Sequence, residues 1–99
     1  MSVVATITES IKAQAEKNAP LGGKMKFDFG EGVVYLDGSG DSNVVSNEDA
    51  DADCVISTSP ETFQKMMAGE INGMMAVMSG KVKIKGDMGL AMKLQSLVG

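Results

Sequence analysis

With 99 residues, the chain is long enough for one hydrophobic core and too short for two, so we expect a single domain over residues 1–99. Its net charge of −4 and its lack of arginine argue against a nucleic-acid partner, because arginine is the usual bidentate ligand of phosphate and guanine. The chain has no histidine, and its one cysteine, Cys54, falls in a predicted strand. Nucleophilic and metal-assisted catalysis therefore lack their usual side chains, and we expect neither an enzyme nor a cofactor.

The ends of the chain and its hydropathy bear on where the protein resides. No segment reaches the roughly 18 consecutive apolar residues of a membrane span, and the first ten residues lack the basic region of a signal peptide. Residues 97–99 do not form a peroxisome-type address. A lone cysteine fits a reducing compartment. We therefore expect a cytoplasmic protein.

A helix is predicted first, over about residues 7–18, where apolar residues recur at four-residue intervals. Thr6 and Glu9 have the spacing of a capping box at its start, and Pro20 with the following glycines ends it.

A hairpin follows the helix. Residues 24–29 alternate charged and apolar side chains, which predicts a strand buried on one face, and residues 30–32 turn the chain into a second strand over 33–37. If this loop has three residues, Phe27 faces Tyr35 and the aromatic side chains share one side of the sheet. A change of one residue in loop length would move Tyr35 to the other side.

A short third strand is predicted at 43–46, and an acidic loop follows it. Three aspartates in residues 49–53 have the alternating spacing of a calcium loop. An EF-hand counted from Asp49 would need glycine and glutamate where Cys54 and Pro60 stand, so the pattern favours a solvated acidic turn.

Residues 54–58 form the fourth predicted strand, and two short helices come after it. Ser59 and Pro60 have the positions of an N-cap and a first helical residue, and glycines at 69 and 80 end the two helices. Each helix has one apolar face. The residues of these faces are Phe63, Met66 and Met67, then Ile71, Met74, Met75 and Met78.

The last elements are a strand and a helix. Lysines alternate with apolar residues over 81–85, which predicts a strand with one charged face, and Asp87 can cap a helix that reaches about Leu97. That helix is apolar on nearly all sides, so it is either covered or in contact with a ligand. The order α-β-β-β-β-α-α-β-α indicates an α+β domain with helices on one face of a largely antiparallel sheet.

Methionine is the most distinctive residue type, since seven of the nine methionines lie between residues 66 and 92. Methionine is unbranched and polarisable, so a methionine-rich surface can adapt to guests of different shape. The helical spacing alone favours plain core packing. Both interpretations, core packing and a receptacle for an apolar molecule, follow from the pattern.

Residues 53–99 resemble the sterol-carrier-protein (SCP2-like) lipid-transfer domain. The resemblance rests on DCVIST, SPETF, MMAG, GKVKIKG and above all GDMGLAMKLQ. It implies a five-stranded, mainly antiparallel sheet, helices covering one face and an apolar tunnel between the two layers. It also implies noncatalytic binding and intracellular transfer of lipids such as fatty acids, fatty acyl-coenzyme A, phospholipid or sterol.

By this resemblance, apolar side chains of the hairpin and the helices would line the tunnel. The expected lipid-binding residues are Phe27, Tyr35, Phe63, Met66, Met67, Ile71, Met74, Met75, Met78, Met88, Ala91 and Met92. With only four aromatic residues, the chain suits an acyl chain better than a flat sterol.

Other interpretations of the same residues remain open. The methionine-rich face could dock a partner protein or a second copy of the chain, and thioethers could carry copper(I). The lysines at 24, 26, 81, 83 and 85 favour a solvated sheet face. They could also make transient contact with anionic head groups at a membrane surface or with a coenzyme A phosphate.

Overall fold

The computed structural model of the protein describes residues 3–93, apart from the side chains of residues 73 and 74. The predicted role of the Met74 side chain and the predicted helix beyond Lys93 therefore lie outside the described residues. The elements are α1 (Val3–Lys17), β1 (Lys24–Asp28), β2 (Val33–Asp37), β3 (Val44–Ser46), β4 (Cys54–Thr58), α2 (Pro60–Met67), α3 (Gly73–Met78), β5 (Val82–Gly86) and α4 (Met88–Lys93). This is the predicted order.

The strands form one five-stranded sheet in the order β3-β2-β1-β4-β5. The central pair, β1 and β4, is parallel, and the other neighbours are antiparallel. The parallel pair arises because the chain leaves β1 through the hairpin and β3, then returns along the other side of β1. The predicted α+β fold with a mainly antiparallel sheet is confirmed.

Alternate side chains of the sheet face a layer of helices, because successive residues of a strand point to opposite faces. Phe27 of β1 lies against Phe63 of α2, which identifies the helix-facing side. The strand registers then place the other members of this side. They are Met25, Val34, Leu36, Val45, Cys54, Ile56, Val82 and Ile84. We call the opposite side the outer face.

The β1–β2 hairpin differs from the predicted one. Lys26 pairs with Tyr35, and Phe27 pairs with Val34, because residues 29–32 form a loop of four residues instead of three. One additional loop residue shifts the pairing by one position and reverses the face of every side chain on the second strand. The prediction that Phe27 and Tyr35 share a side is therefore wrong, and Tyr35 lies on the outer face.

Helix α1 begins earlier than predicted. Its buried stripe starts at Val4 and continues through Ile7 and Ile11, so the apolar period extends one turn towards the N-terminus. Thr6 and Glu9 lie inside the helix and do not form the predicted capping box.

Three phenylalanines fill the core between β1 and α2. The ring of Phe63 meets those of Phe27 and Phe29 edge to face, with centroid separations of 5.3 and 5.4 Å. Phe27 and Phe63 are both 0% exposed, so neither borders a space as large as a water molecule. This half of the interior is closely packed.

Candidate functional site

The start and the end of α2 are held as the sequence predicts. The hydroxyl of Ser59 accepts a hydrogen bond from the Thr62 amide at 3.1 Å, and Pro60 is the first helical residue. Gly69 then reverses the chain with a φ of +79°, a conformation that glycine adopts without strain. Between these two ends, the side chains of Phe63 and Met66 are buried.

Helix α3 packs against the edge strand β5 through its smallest side chain. Ala76 is buried, and its carbonyl accepts a hydrogen bond from the Lys81 amide at 2.9 Å just before β5 begins. Met75 and Met78 of the predicted apolar stripe point outward and are 68% and 84% exposed. The small alanine allows α3 to approach β5 closely, and the side chains of Met75 and Met78 stay outside.

Helix α4 is anchored at both described ends. The Asp87 carboxylate accepts hydrogen bonds from the amides of Gly89 and Leu90 at 2.8 and 3.4 Å, which confirms the predicted cap. The Lys93 ammonium group donates a hydrogen bond to the Leu21 carbonyl at 2.8 Å. Leu90 and Ala91 are buried, so α4 has a defined inner side.

The glycine at 86 sets the angle between β5 and α4. Its φ is +99°, and a side chain there would collide with the carbonyl oxygen of Asp53. The same oxygen accepts a hydrogen bond from the Asp87 amide at 2.8 Å. Only glycine permits this close approach of the two backbones.

The predicted lipid-binding residues fall into three groups by exposure. Phe27, Phe63, Met66 and Ala91 are buried in the core, and Tyr35 is buried on the outer face. Met67 and Ile71 are half-buried. The exposed members are Met75, Met78, Met88 and Met92, which we call the exposed methionines; between 56% and 84% of their surface is accessible.

The exposed methionines lie on the two helices that flank β5. Helix α3 contacts β5, and α4 contacts β4 and β5. Ile84, in the middle of β5, faces the helix layer yet is only half-buried. Val45 on the opposite edge strand is also half-buried, so the helices cover the two edge strands less completely than the central strands. Ile84 is not among the predicted lipid-binding residues, although its alternation with lysines places it on the apolar face of the strand.

Two grooves run along the helices. One, of about 290 Å³, borders α3 and is lined by Ile71, Met75, Ala76 and Lys81 among others. The other, of about 460 Å³, lies between α1 and α2 and is lined partly by Met67. The smaller volume is close to the lower limit of small-molecule sites, about 300 Å³, and the larger one exceeds that limit. The tunnel between sheet and helices stays a prediction.

On the outer face, the acidic loop over 47–53 crosses the hairpin. The Tyr35 hydroxyl donates a hydrogen bond to the Asp51 carbonyl at 2.5 Å, and the Lys26 ammonium group lies 2.9 Å from the Asp49 carboxylate. The hydrogen bond from the Lys26 ammonium group to Asp49 raises the pKa of Lys26 above its ordinary value. The Asp53 carboxylate accepts a hydrogen bond from the Lys24 amide at 2.9 Å. These three aspartates therefore hold the loop on the sheet.

Two negative findings apply to residues 3–93 only. In that part of the chain, no group of three or more cysteine, aspartate or glutamate side chains could hold a metal ion together. None of its helices is long and apolar enough to cross a membrane.

Comparison with known proteins places this geometry in a family. Hydroxysteroid dehydrogenase-like protein 2 of Danio rerio is 46% identical over 69 residues, which are 68% of this chain and 17% of that protein. Sterol carrier protein 2 of Homo sapiens is 46% identical over 59 residues, 60% of this chain and 11% of that protein. The chain thus spans less than a fifth of the length of either relative.

Solved structures show the same fold. The sterol carrier protein domain 2 of Helicoverpa armigera superposes with a TM-score of 0.76 at 24% identity, covering 96% of this chain and 84% of that one. Palmitated SCP2L2 of Aedes aegypti superposes with a TM-score of 0.67 at 25% identity, covering 99% and 95%. A family model described as the SCP-2 sterol transfer family matches residues 5–99. The chain therefore belongs to the SCP-2 sterol transfer family, a family of lipid-transfer domains.

Proposed function

We propose that this domain binds the acyl chain of a lipid at the exposed methionines of α3 and α4 and carries it through the cytoplasm without chemical change. The observation that supports the proposal is the exposure of Met75, Met78, Met88 and Met92 beside the half-buried Ile84. A large exposed patch of apolar side chains marks a site that another molecule covers, and these four methionines lie on the two helices that contact β5. Family membership and the palmitated relative support a lipid as that molecule.

The aromatic residues favour an acyl chain over a sterol. Phe27, Phe29 and Phe63 pack against one another in the core, and Tyr35 is held on the outer face by its hydrogen bond to the acidic loop. Neither α3 nor α4 contains an aromatic residue within its described bounds. The proposed site therefore has no flat ring to stack on a sterol, whereas thioether side chains adapt to a flexible chain.

The energetics permit useful affinity. An acyl chain of about 16 carbons, at about 0.8 kcal/mol per methylene, offers about 13 kcal/mol on complete burial. Association costs about 4–15 kcal/mol, depending on how far the protein is already ordered for binding. Micromolar binding requires about 8 kcal/mol net, so it needs most of the chain to be buried and an association cost near the lower limit. Affinity should therefore increase with chain length.

Introducing a negative charge at the exposed methionines tests the proposal. We expect Met75→Glu and Met92→Glu to weaken binding of a fluorescent C16 fatty acid at least about tenfold, since burying an unpaired carboxylate against an acyl chain is costly. Both positions are exposed, so the free energy of unfolding should change by less than about 0.5 kcal/mol. Val44→Glu is the matched control, because Val44 is also apolar and exposed but lies on β3 at the far edge of the sheet.

Unchanged fatty-acid binding in both methionine variants would refute the assigned surface. Native mass spectrometry of freshly isolated protein would identify the bound lipid by its mass. Sedimentation provides a further test, because a dimer that forms without lipid and excludes fatty acid would assign the methionines to self-association.

A further inference from the structure

Charge is separated between the two halves of the outer face. The acidic loop over 47–53 covers the hairpin half, where Lys26 pairs with Asp49. The other half carries Lys83 and Lys85, which are exposed on β5. A chain whose net charge is −4 therefore presents a basic surface at one edge.

Strand β5 is the edge of the sheet, and its lysines lie close together in sequence. Lys81, Lys83 and Lys85 are all exposed, and none forms an ion pair with a carboxylate of residues 3–93. We call these three residues the basic edge. Their ammonium groups are therefore available to an anionic partner.

The basic edge adjoins apolar surface. Helix α3 packs on β5, and Lys81 borders the same groove as Met75. Side chains from both faces of an edge strand can reach the surface beyond that edge, and long lysine side chains can extend their charge past apolar neighbours. The edge thus combines cationic groups with exposed thioethers, as interfacial membrane-binding surfaces do.

We propose that the basic edge docks on a lipid bilayer containing anionic head groups and presents α3 to that bilayer. The inference rests on the proposed function, because α3 carries part of the proposed acyl site. The lysines would contact lipid phosphates and carboxylates, and Met75 and Met78 would enter the boundary between head groups and acyl chains. A lipid could then pass between bilayer and protein without crossing water.

Vesicle binding tests this docking. The variant Lys83→Gln with Lys85→Gln leaves Lys81, which borders the α3 groove, unchanged. Lys12→Gln with Lys17→Gln is the matched control, since both lysines are exposed on α1 and each double variant loses two positive charges. Flotation with phosphatidylcholine vesicles, with and without about 30% phosphatidylserine, measures partition.

We expect the wild-type chain to bind only the vesicles that contain phosphatidylserine, and more weakly as salt is raised. At about fivefold per lysine near an anionic surface, the β5 variant should bind about 30-fold more weakly. The α1 control should stay within about threefold of the wild type. Equal losses in the two variants, or an unchanged β5 variant, would overturn the proposal.

Fatty-acid titration without vesicles separates this inference from the proposed function. We expect the β5 variant to retain wild-type affinity for the fluorescent fatty acid. If its affinity falls with the vesicle binding, the lysines act on the ligand and docking is overturned. If the wild type takes no fatty acid but shows β5-dependent vesicle binding, docking stands and the proposed function fails. Binding to polyglutamate but not to phosphatidylserine vesicles would instead assign the edge to acidic proteins.

Discussion

Truncation of Phe63 distinguishes a closely packed core from a lipid-lined wall. Sequence resemblance places Phe63 in the lipid tunnel, whereas its ring is fully buried against Phe27 and Phe29. If the ring is core, Phe63→Ala removes two edge-to-face contacts and leaves a cavity that the surrounding strands and helices fill only in part.

The expected cost follows from this packing. Phenylalanine-to-alanine changes in cores destabilise by about 3–5 kcal/mol, and each aromatic pair contributes about 0.5–1.5 kcal/mol beyond its buried area. For a domain of this size, that loss lowers the melting temperature by about 15–30 °C. Since a domain's total stability is about 5–15 kcal/mol, we also expect Phe63→Leu, which loses mainly the aromatic pairing, to cost about 1–3 kcal/mol and to remain folded.

Urea unfolding of delipidated protein, followed by circular dichroism, measures these changes. Met78→Ala is the matched control, because the Met78 side chain is 84% exposed and its loss should change the free energy of unfolding by less than about 0.5 kcal/mol. A cost below about 1.5 kcal/mol for Phe63→Ala, together with a gain of affinity for longer acyl chains, would contradict a closely packed core at Phe63. That outcome would show that the ring borders a lipid-filled space.

Three further predictions concern the backbone, the outer face and the buried thiol. Gly86→Ala should cost at least about 2 kcal/mol in urea unfolding, because φ is +99° and the added carbon would strike the Asp53 carbonyl; Gly40→Ala, which meets open space, should cost less than about 0.5 kcal/mol. Tyr35→Phe should cost about 0.5–1.5 kcal/mol and leave fatty-acid affinity unchanged, and a loss of affinity would place Tyr35 at the ligand. Burial, and to a smaller extent Asp87, raises the pKa of the Cys54 thiol, so alkylation at pH 8.5 should be far slower in the folded protein than in urea. Because the unfolded thiol ionises near pH 8.5 and the folded one only at higher pH, stability should fall as pH rises above about 8.5, and Cys54→Ala should lack that component.

Among the features that depend on neighbouring residues, the caps of α2 and α4 could be predicted from the sequence, whereas the capping box predicted for α1 was wrong. Ser59 and Pro60 start α2, and Asp87 caps α4. A cap requires only a suitable side chain that accepts a hydrogen bond from an amide two or three residues later in the chain. Gly69 and Gly80 end their helices with positive φ angles. These signals and the alternation of the strands were sufficient for the order of the elements and the fold class.

Features that depend on distant parts of the chain could not be predicted from the sequence. The face of Tyr35 depends on a single residue of hairpin loop, and the sequence contains no signal that selects four loop residues over three. Helical spacing identified an apolar stripe on α3 but not the side that packs on β5. Burial of Ala76 and exposure of Met75 became known only when the strand and the helix were placed together.

The methionines differ in burial. Met25 and Met66 are buried and serve as core, whereas Met75, Met78 and Met92 each leave more than two thirds of their surface in water. Complete burial of a methionine side chain stabilises a fold by about 1.5–3 kcal/mol. At the exposed positions, most of this stabilisation is absent. Among the described side chains of α3, residues 75–78, only Ala76 is buried, so the fold gains little from the long side chains of Met75 and Met78. The remaining apolar surface is therefore available to a ligand, and its position beside β5 locates both the acyl site and the bilayer contact that we propose.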